Sequence, residues 1–254
     1  MLRPIALLSM IAAAAPAQAQ FAVPRYNPAA DYVTAGQDEP GYRRWASSAS
    51  WRPAYVRAFN DYLIQYGVGG VAPTWQLLRT ATDWQKCGAD PFEVPPVEAW
   101  PNIVATLRYI GAYIIPVMGP VEPVSVYRNP SLNQCAGGAP TSTHREMGAV
   151  DMVPLRPIGR EQLMSALCRI HGASGPATNA GLGFYKGIRF HIDSRKYREW
   201  GTAGMRGGYG CHAVAAEGAA PFNPNPAPRP TPQPAPTSGP LVIEMPVDPL
   251  APQR

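Results

Sequence analysis

The chain of 254 residues is 46% hydrophobic, carries only 15% charged residues and contains 31 prolines. An average globular protein has roughly 25% charged residues and roughly 5% proline, so this composition excludes a coiled coil, a long helical bundle and a highly charged disordered chain. The formal net charge of +5 is too small to predict a nucleic-acid binder on charge alone.

Residues 1–20 have the layout of a secretory signal peptide. Arg3 precedes a short apolar run, and Ala17-Gln18-Ala19 matches a small-residue cleavage site. The apolar run is about half as long as the roughly twenty residues that a bilayer-spanning helix needs. We therefore expect a mature chain without a membrane span, located in the periplasm or secreted.

The body of the chain predicts helices first, and then strands with one helix between them. Apolar residues at helical spacing predict helices over 53–66, 74–86, about 101–114 and 160–171, the last ending at Gly172. β-Branched or alternating stretches predict strands over 124–127, 148–153, 182–185 and 188–192. The turn Lys186-Gly187 joins the last two as a hairpin. This order of elements indicates an α+β fold.

Composition divides the chain into three segments. These are the signal peptide at 1–20, one domain-sized body up to residue 218 and a proline-rich tail at 219–254. The tail alternates proline with small or polar residues, which predicts an extended and disordered segment. It serves either as a spacer or as a dispensable end.

The cysteines are widely spaced and include no C-x-x-C pair; they are Cys87, Cys135, Cys168 and Cys211. Cysteine zinc sites normally show such close pairs, whereas an even number of cysteines in an oxidising compartment favours disulfides. Four cysteines allow three connectivities. Because neighbours in sequence tend to be neighbours in space, we predict Cys87–Cys135 and Cys168–Cys211, with buried free thiols as the alternative.

Two of the four histidines lie in polar patterns that are typical of a metal site. A turn at Gly148 followed by a strand brings the side chains of His144 and Asp151 together. His191 shares one strand face with Asp193, opposite an apolar face. A hydrolytic zinc site needs three neutral or anionic ligands and one open position. His144, Asp151 and His191 are therefore candidate ligands, although spacing alone leaves purely structural roles open.

Five segments in a fixed order carry a family resemblance. They are Val-Tyr-Arg-Asn-Pro-Ser-Leu-Asn at 126–133, Ser-Thr-His through Asp at 142–151, Gly-Leu-Gly-Phe-Tyr at 181–185, Phe-His-Ile-Asp at 190–193 and Arg-Glu-Trp at 198–200. Their order and gaps resemble the zinc D-alanyl-D-alanine carboxypeptidase family, in particular the branch that includes murein endopeptidases. The resemblance covers roughly residues 97–201. It therefore implies an N-terminal helical extension at 21–96 and a principal domain, the zinc peptidase domain, at 97–218.

The resemblance implies a hedgehog-like α+β fold whose small antiparallel sheet carries one zinc ion, Zn(2+), and packs with helices. It further implies a metallopeptidase that hydrolyses peptide bonds in peptidoglycan stem peptides or cross-links. The ligands of the family fall on His144, Asp151 and His191. Its substrate-binding arginine falls on Arg128, whose planar guanidinium suits a carboxylate or a developing oxyanion. Without the resemblance, Arg128 would be taken for a surface arginine in a turn.

One departure concerns the general base. Many relatives have an acidic residue three positions before the third ligand, where this chain has Ile188. Other relatives have H-x-H, which would make His191 the base and Asp193 the ligand. We favour His191 as the ligand because imidazole is the commoner metal donor. Asp193 is then a candidate base or a partner that orients a ligand, with an ion pair to a nearby arginine as the structural alternative.

The absence of an acidic residue at position 188 is compatible with a second function. A non-catalytic, zinc-containing cell-wall binding module would retain the metal ligands without needing a general base. The intact ligands together with Arg128 favour the enzyme, and Ile188 favours the module.

Overall fold

A computed structural model of the protein describes residues 27–201 and Cys211. The predicted signal peptide at 1–20 and the proline-rich tail at 219–254 lie outside the described residues. None of the helices in the described part has the length and apolarity that a membrane crossing requires.

Helices occupy the first part of the fold and flank the strands in the second part. The α-helices are α1 (Glu39–Ser47), α2 (Arg52–Gln65), α3 (Trp100–Tyr109), α4 (Ile115–Met118), α5 (Pro130–Cys135) and α6 (Arg160–Thr178). A π-helical turn joins α3 to α4 over Ile110–Ile114. Short 3₁₀ turns occur at Ala30–Tyr32, Gln76–Leu78, Val97–Ala99 and Thr143–Glu146.

Five strands form one sheet within the described residues, in the order β1-β2-β4-β3-β5. The strands are β1 (Val121–Ser125), β2 (Ala149–Pro154), β3 (Gly181–Phe184), β4 (Phe190–Asp193) and β5 (Arg198–Gly201). This confirms a mixed helix and strand fold with a small sheet. The sheet is not wholly antiparallel, because β5 pairs parallel to β3. The short connection after β4 reverses the chain, so β5 runs opposite to β4 and along the free edge of β3.

The N-terminal extension and the principal domain share one hydrophobic core. Phe59 and Leu63 of α2, Trp100 of α3 and Leu163 of α6 belong to the same buried cluster as the apolar residues of the central strands. Phe190 and Ile192 of β4 face this cluster, as their alternation predicts. The segment 21–96 is therefore, in its described part, integral to the folded body.

A buried arginine explains why no helix forms over 74–86. Only Gln76–Leu78 is helical, and the chain is extended at Arg79. The Arg79 guanidinium donates to Glu122 at 2.8 Å and to the Pro123 carbonyl at 2.6 Å. The Arg79 carbonyl accepts from the Val126 amide. These bonds tie the segment to β1, and tertiary contacts outweigh the local helical spacing.

Gly172 does not end α6, contrary to its sequence pattern. The helix continues to Thr178 and closes at Asn179, which adopts the left-handed conformation. Ser174, beyond the predicted end, is buried and donates to the Tyr109 hydroxyl at 3.0 Å. Packing of the last turn against α3 therefore compensates for the weak helix propensity of glycine.

Both disulfides form as predicted. Cys87–Cys135 links the loop after Gln76–Leu78 to α5, with Cα atoms 5.8 Å apart. Cys168–Cys211 links α6 to the chain after β5, with Cα atoms 5.2 Å apart.

We expect the denatured, unreduced protein to contain almost no thiol that reacts with a thiol-specific reagent, because all four cysteines are paired. After reduction, the same titration should give four thiols per chain. Four reactive thiols before reduction would contradict the pairing.

Candidate metal centre

The candidate site lies along one line of residues that crosses the sheet. Ser125 of β1 is paired with Asp151 of β2, and Asp151 with His191 of β4. His191 is paired in turn with Gly183 of β3, and Gly183 with Trp200 of β5. Residues that are paired across adjacent strands project from the same face of a sheet. This register brings Asp151 and His191 together although 40 residues separate them.

His144 reaches this line from the turn that precedes β2. It lies in the 3₁₀ turn Thr143–Glu146, and the chain then reverses through Met147, which has a positive φ of 58°. The predicted turn is thus centred on Met147, next to Gly148. Helix α3 holds this turn, since Thr106 donates to the Gly148 carbonyl at 2.8 Å.

Three potential ligand atoms converge in the buried interior. Nε2 of His144 lies 3.1 Å from Oδ1 of Asp151 and 3.2 Å from Nδ1 of His191. Nδ1 of His191 lies 2.9 Å from the same Oδ1. The three residues are at most 3% exposed. The structure therefore assembles the three residues that the sequence proposed as ligands.

The outer nitrogen of each imidazole is held by an acceptor. Nδ1 of His144 donates to the Val126 carbonyl at 2.6 Å. Nε2 of His191 donates to Oδ2 of Asp193 at 2.8 Å. A neutral imidazole carries one proton, so these bonds turn the lone pairs of His144 Nε2 and His191 Nδ1 towards Asp151. Such outer partners are typical of histidines that ligate metals.

A cation would stabilise three lone pairs that are directed at one position. Asp151 Oδ1 is an acceptor, and the inner nitrogens of two neutral histidines are acceptors too. A proton on His191 bridges one pair of these atoms, whereas a metal cation satisfies all three. Ligands bound ~2.0–2.2 Å from one tetrahedral zinc lie about 3.3–3.6 Å apart, a little more than the separations here. The donor set and its spacing thus fit a metal ion.

The electrostatics keep His144 and Asp151 in their metal-binding forms. Burial and the adjacent Arg128 lower the pKa of His144 to about 4, so the ring is neutral at neutral pH. Burial opposes ionisation of Asp151, but His144, Arg189 and Arg128 hold its pKa well below its usual range. Burial would lower the pKa of His191, and the bonds to Asp151 and Asp193 raise it instead.

Two arginines hold the other oxygen of Asp151. Arg128 donates to Oδ2 at 2.5 Å and Arg189 donates to it at 2.6 Å. Arg128 also donates to the Ser125 hydroxyl at 2.9 Å and is only 8% exposed. The structure thus places Arg128 beside the candidate ligands and not on an open surface. Arg189 was missed as a site residue, although it shares the alternating polar face of His191.

Tyr185 and Trp200 border the same cluster. The Tyr185 hydroxyl lies 3.0 and 3.1 Å from the two oxygens of Asp151, and burial raises the pKa of this phenol. The Trp200 ring lies 5.3 Å from the His191 ring and is 36% exposed. A Cβ on Gly183 would come within 2.3 Å of the indole, so a glycine is needed there for Trp200 to pack.

Asp193 lies behind His191. Besides His191, it accepts from Arg198 at 2.7 and 3.0 Å and from the Arg195 amide at 3.0 Å. It contacts the ring nitrogen that faces away from Asp151. This placement favours the orienting role over that of general base, and the Arg198 ion pair coexists with it. Burial raises the pKa of Asp193, but the His191 and Arg198 bonds outweigh this effect and lower it to about 2.

We expect Asp193→Asn to weaken zinc binding by about 10- to 100-fold, the usual cost of losing an outer partner of a ligating histidine. An asparagine side chain has nearly the same shape as that of Asp193, but it lacks the negative charge that stabilises the proton on Nε2 of His191. Competition with a chromophoric chelator measures the change. As a control, Glu39→Gln removes an exposed carboxylate that pairs with Arg43 in α1, and it should leave zinc affinity unchanged. Unaltered affinity in Asp193→Asn would contradict the orienting role.

A second group of potential ligands is not a metal site. Potential ligand atoms of His171, Glu199 and Cys211 lie within 4.8 Å of one another. However, the sulfur of Cys211 is bonded to Cys168, and Nε2 of His171 contacts the Ala180 carbonyl at 2.9 Å. A disulfide sulfur supplies no thiolate, which is the form that binds metal.

No protein-family model, curated protein or solved structure matches this chain.

Proposed function

We propose that the protein is an exported zinc metallopeptidase that hydrolyses peptide bonds in peptidoglycan, either in stem peptides or in cross-links. One observation carries the proposal. Three buried potential ligand atoms, on His144, Asp151 and His191, lie within 3.2 Å of one another, and the opposite nitrogen of each imidazole contacts an acceptor of its own. The five ordered sequence segments that resemble murein peptidases direct this chemistry to the cell wall.

The residues in and around the cluster have different roles in the proposed reaction. His144, Asp151 and His191 would hold the zinc ion, which would polarise a carbonyl and lower the pKa of a bound water towards ~7. The Val126 carbonyl and Asp193 orient the two imidazoles. Arg128 places positive charge beside the cluster, where it would attract a substrate carboxylate or a developing oxyanion.

Two features of the chain support export. Both disulfides among the described residues need an oxidising compartment to persist. The signal-peptide pattern at 1–20 directs the chain to such a compartment. We therefore place the mature protein in the periplasm or outside the cell.

The test is digestion of purified sacculi by the mature protein loaded with zinc. We expect the release of muropeptides, which mass spectrometry identifies by the bond that was cut. Chelation should stop the release and added zinc should restore it. Intact sacculi after incubation with the zinc-loaded protein would contradict the enzymatic proposal.

A second candidate, the non-catalytic cell-wall module, rests on Ile188. This side chain packs against apolar residues and replaces the acid that many relatives use as a base. The module predicts that the zinc-loaded protein sediments with sacculi and releases no muropeptides. The same incubation therefore separates the two functions.

A further inference from the structure

We propose that Tyr185 is a catalytic residue whose hydroxyl donates a hydrogen bond to the oxygen of the scissile carbonyl as negative charge develops there. The proposal rests on the hydrolytic function proposed above. The hydroxyl lies 3.0 Å from Oδ1 of Asp151, the same atom that faces His144 and His191. It therefore borders the position that three ligand atoms surround.

The Tyr185 proton is available for a substrate. Oδ2 of Asp151 already accepts charge-assisted bonds from Arg128 and Arg189 at 2.5 and 2.6 Å, and bonds of this kind are about twice as strong as neutral ones. The Tyr185 contacts with the carboxylate are longer, at 3.0 and 3.1 Å, and their donor carries no charge. A phenolic hydrogen also turns about its C–O bond without moving the ring. The hydroxyl can thus leave Asp151 for a substrate oxygen while the carboxylate keeps its stronger partners.

The ring itself is held in place on two sides. The Arg189 guanidinium lies 4.5 Å from the centre of the Tyr185 ring. Trp200 meets the ring edge-on at 5.2 Å, and the Tyr185 amide donates to the Arg189 carbonyl at 3.2 Å. A donor that is already in position at the reacting centre needs no reorganisation during the reaction.

Neither of the two positions considered for a general base places a carboxylate against the ligand atoms. Position 188 holds an isoleucine, and Asp193 is bound to the far nitrogen of His191. Tyr185 is partly exposed, whereas Asp151 is fully buried, so a substrate can approach the tyrosine without displacing the carboxylate.

The test compares zinc-loaded Tyr185→Phe with the wild type. We expect the variant to keep one zinc per chain, with kcat on a stem peptide reduced by about 10²- to 10³-fold and little change in KM, as for the loss of one oxyanion donor. Tyr109→Phe is the matched control. It removes a buried hydroxyl that pairs with Ser174 in α6, away from the cluster, and it should keep wild-type kcat.

A binding measurement separates this proposal from the proposed function. The probe is a phosphinate analogue of an alanyl-alanine dipeptide, titrated calorimetrically into each zinc-loaded protein. We expect Tyr185→Phe to bind it about 10- to 100-fold more weakly, the cost of one hydrogen bond to a charged group. If the wild type cleaves no stem peptide but this difference is found, the peptidoglycan function is wrong and the donor role stands.

Three results would overturn the role of Tyr185. The first is loss of zinc from Tyr185→Phe, which would make the tyrosine a support for Asp151. The second is wild-type kcat together with wild-type phosphinate affinity in the variant. The third is failure of the zinc-loaded wild type to bind the phosphinate, which would leave no oxyanion for Tyr185 to contact.

Discussion

His144→Ala should lose bound zinc and hydrolytic activity together. Removing this imidazole leaves two protein ligands, Asp151 and His191, and three are the norm in catalytic zinc sites. Loss of an outer partner of a ligating histidine typically lowers metal affinity by about 10- to 100-fold. We expect a larger fall in zinc affinity here, because a ligand itself is lost. Zinc content after dialysis and muropeptide release from sacculi measure the two effects. The buried position of His144 makes a circular dichroism spectrum necessary to show that the variant folds.

A second histidine provides the matched control for this variant. His171 is also buried, but it contacts the Ala180 carbonyl and stacks on Tyr197. His171→Gln keeps a donor for that carbonyl, so it should fold and retain one zinc per chain. Full zinc occupancy in His144→Ala would remove His144 from the ligand set. Loss of zinc in both variants would indicate that unfolding, and not ligand loss, releases the metal.

Arg128→Ala should fold and keep its zinc while kcat/KM falls by about 10²- to 10³-fold. The metal should stay because Arg189 still donates to Oδ2 of Asp151 at 2.6 Å. The rate should fall because a pre-organised donor for developing negative charge typically contributes that much. Arg128→Lys should recover little, since an ammonium does not reproduce a two-pronged guanidinium contact. Stem-peptide kinetics and zinc content measure the two properties on the same samples.

Two other results for Arg128→Ala would change the role assigned to this arginine. Wild-type kinetics in Arg128→Ala would show that this arginine takes no part in catalysis. Loss of zinc would show that its principal role is to hold Asp151 in place, as the 2.5 Å contact permits. Arg189→Ala, measured in parallel, shows whether either arginine alone is enough to hold the carboxylate.

Local sequence patterns predicted the elements whose stability is local. Helix α2 begins near Pro53 and ends before Gly67, which has a positive φ of 71°. The alternation in β4 correctly assigned Phe190 and Ile192 to the core. The patterns failed where distant contacts decide the outcome. Arg79 is drawn out of a helix by its bonds to β1, and α6 continues past Gly172 because its last turn is buried.

For the site, the sequence by itself determined which residue types are present and in what order: His144, Asp151 and His191, the cysteines that pair, and a strand face that carries His191 with Asp193. Only the tertiary structure decided their partners. It turned Asp193 away from the cluster and brought Arg189 and Tyr185 onto Asp151. The physical reason is that the side-chain alternation of a strand is encoded locally, whereas the pairing of β2 with β4 and β3 depends on how strands distant in sequence pack over one core.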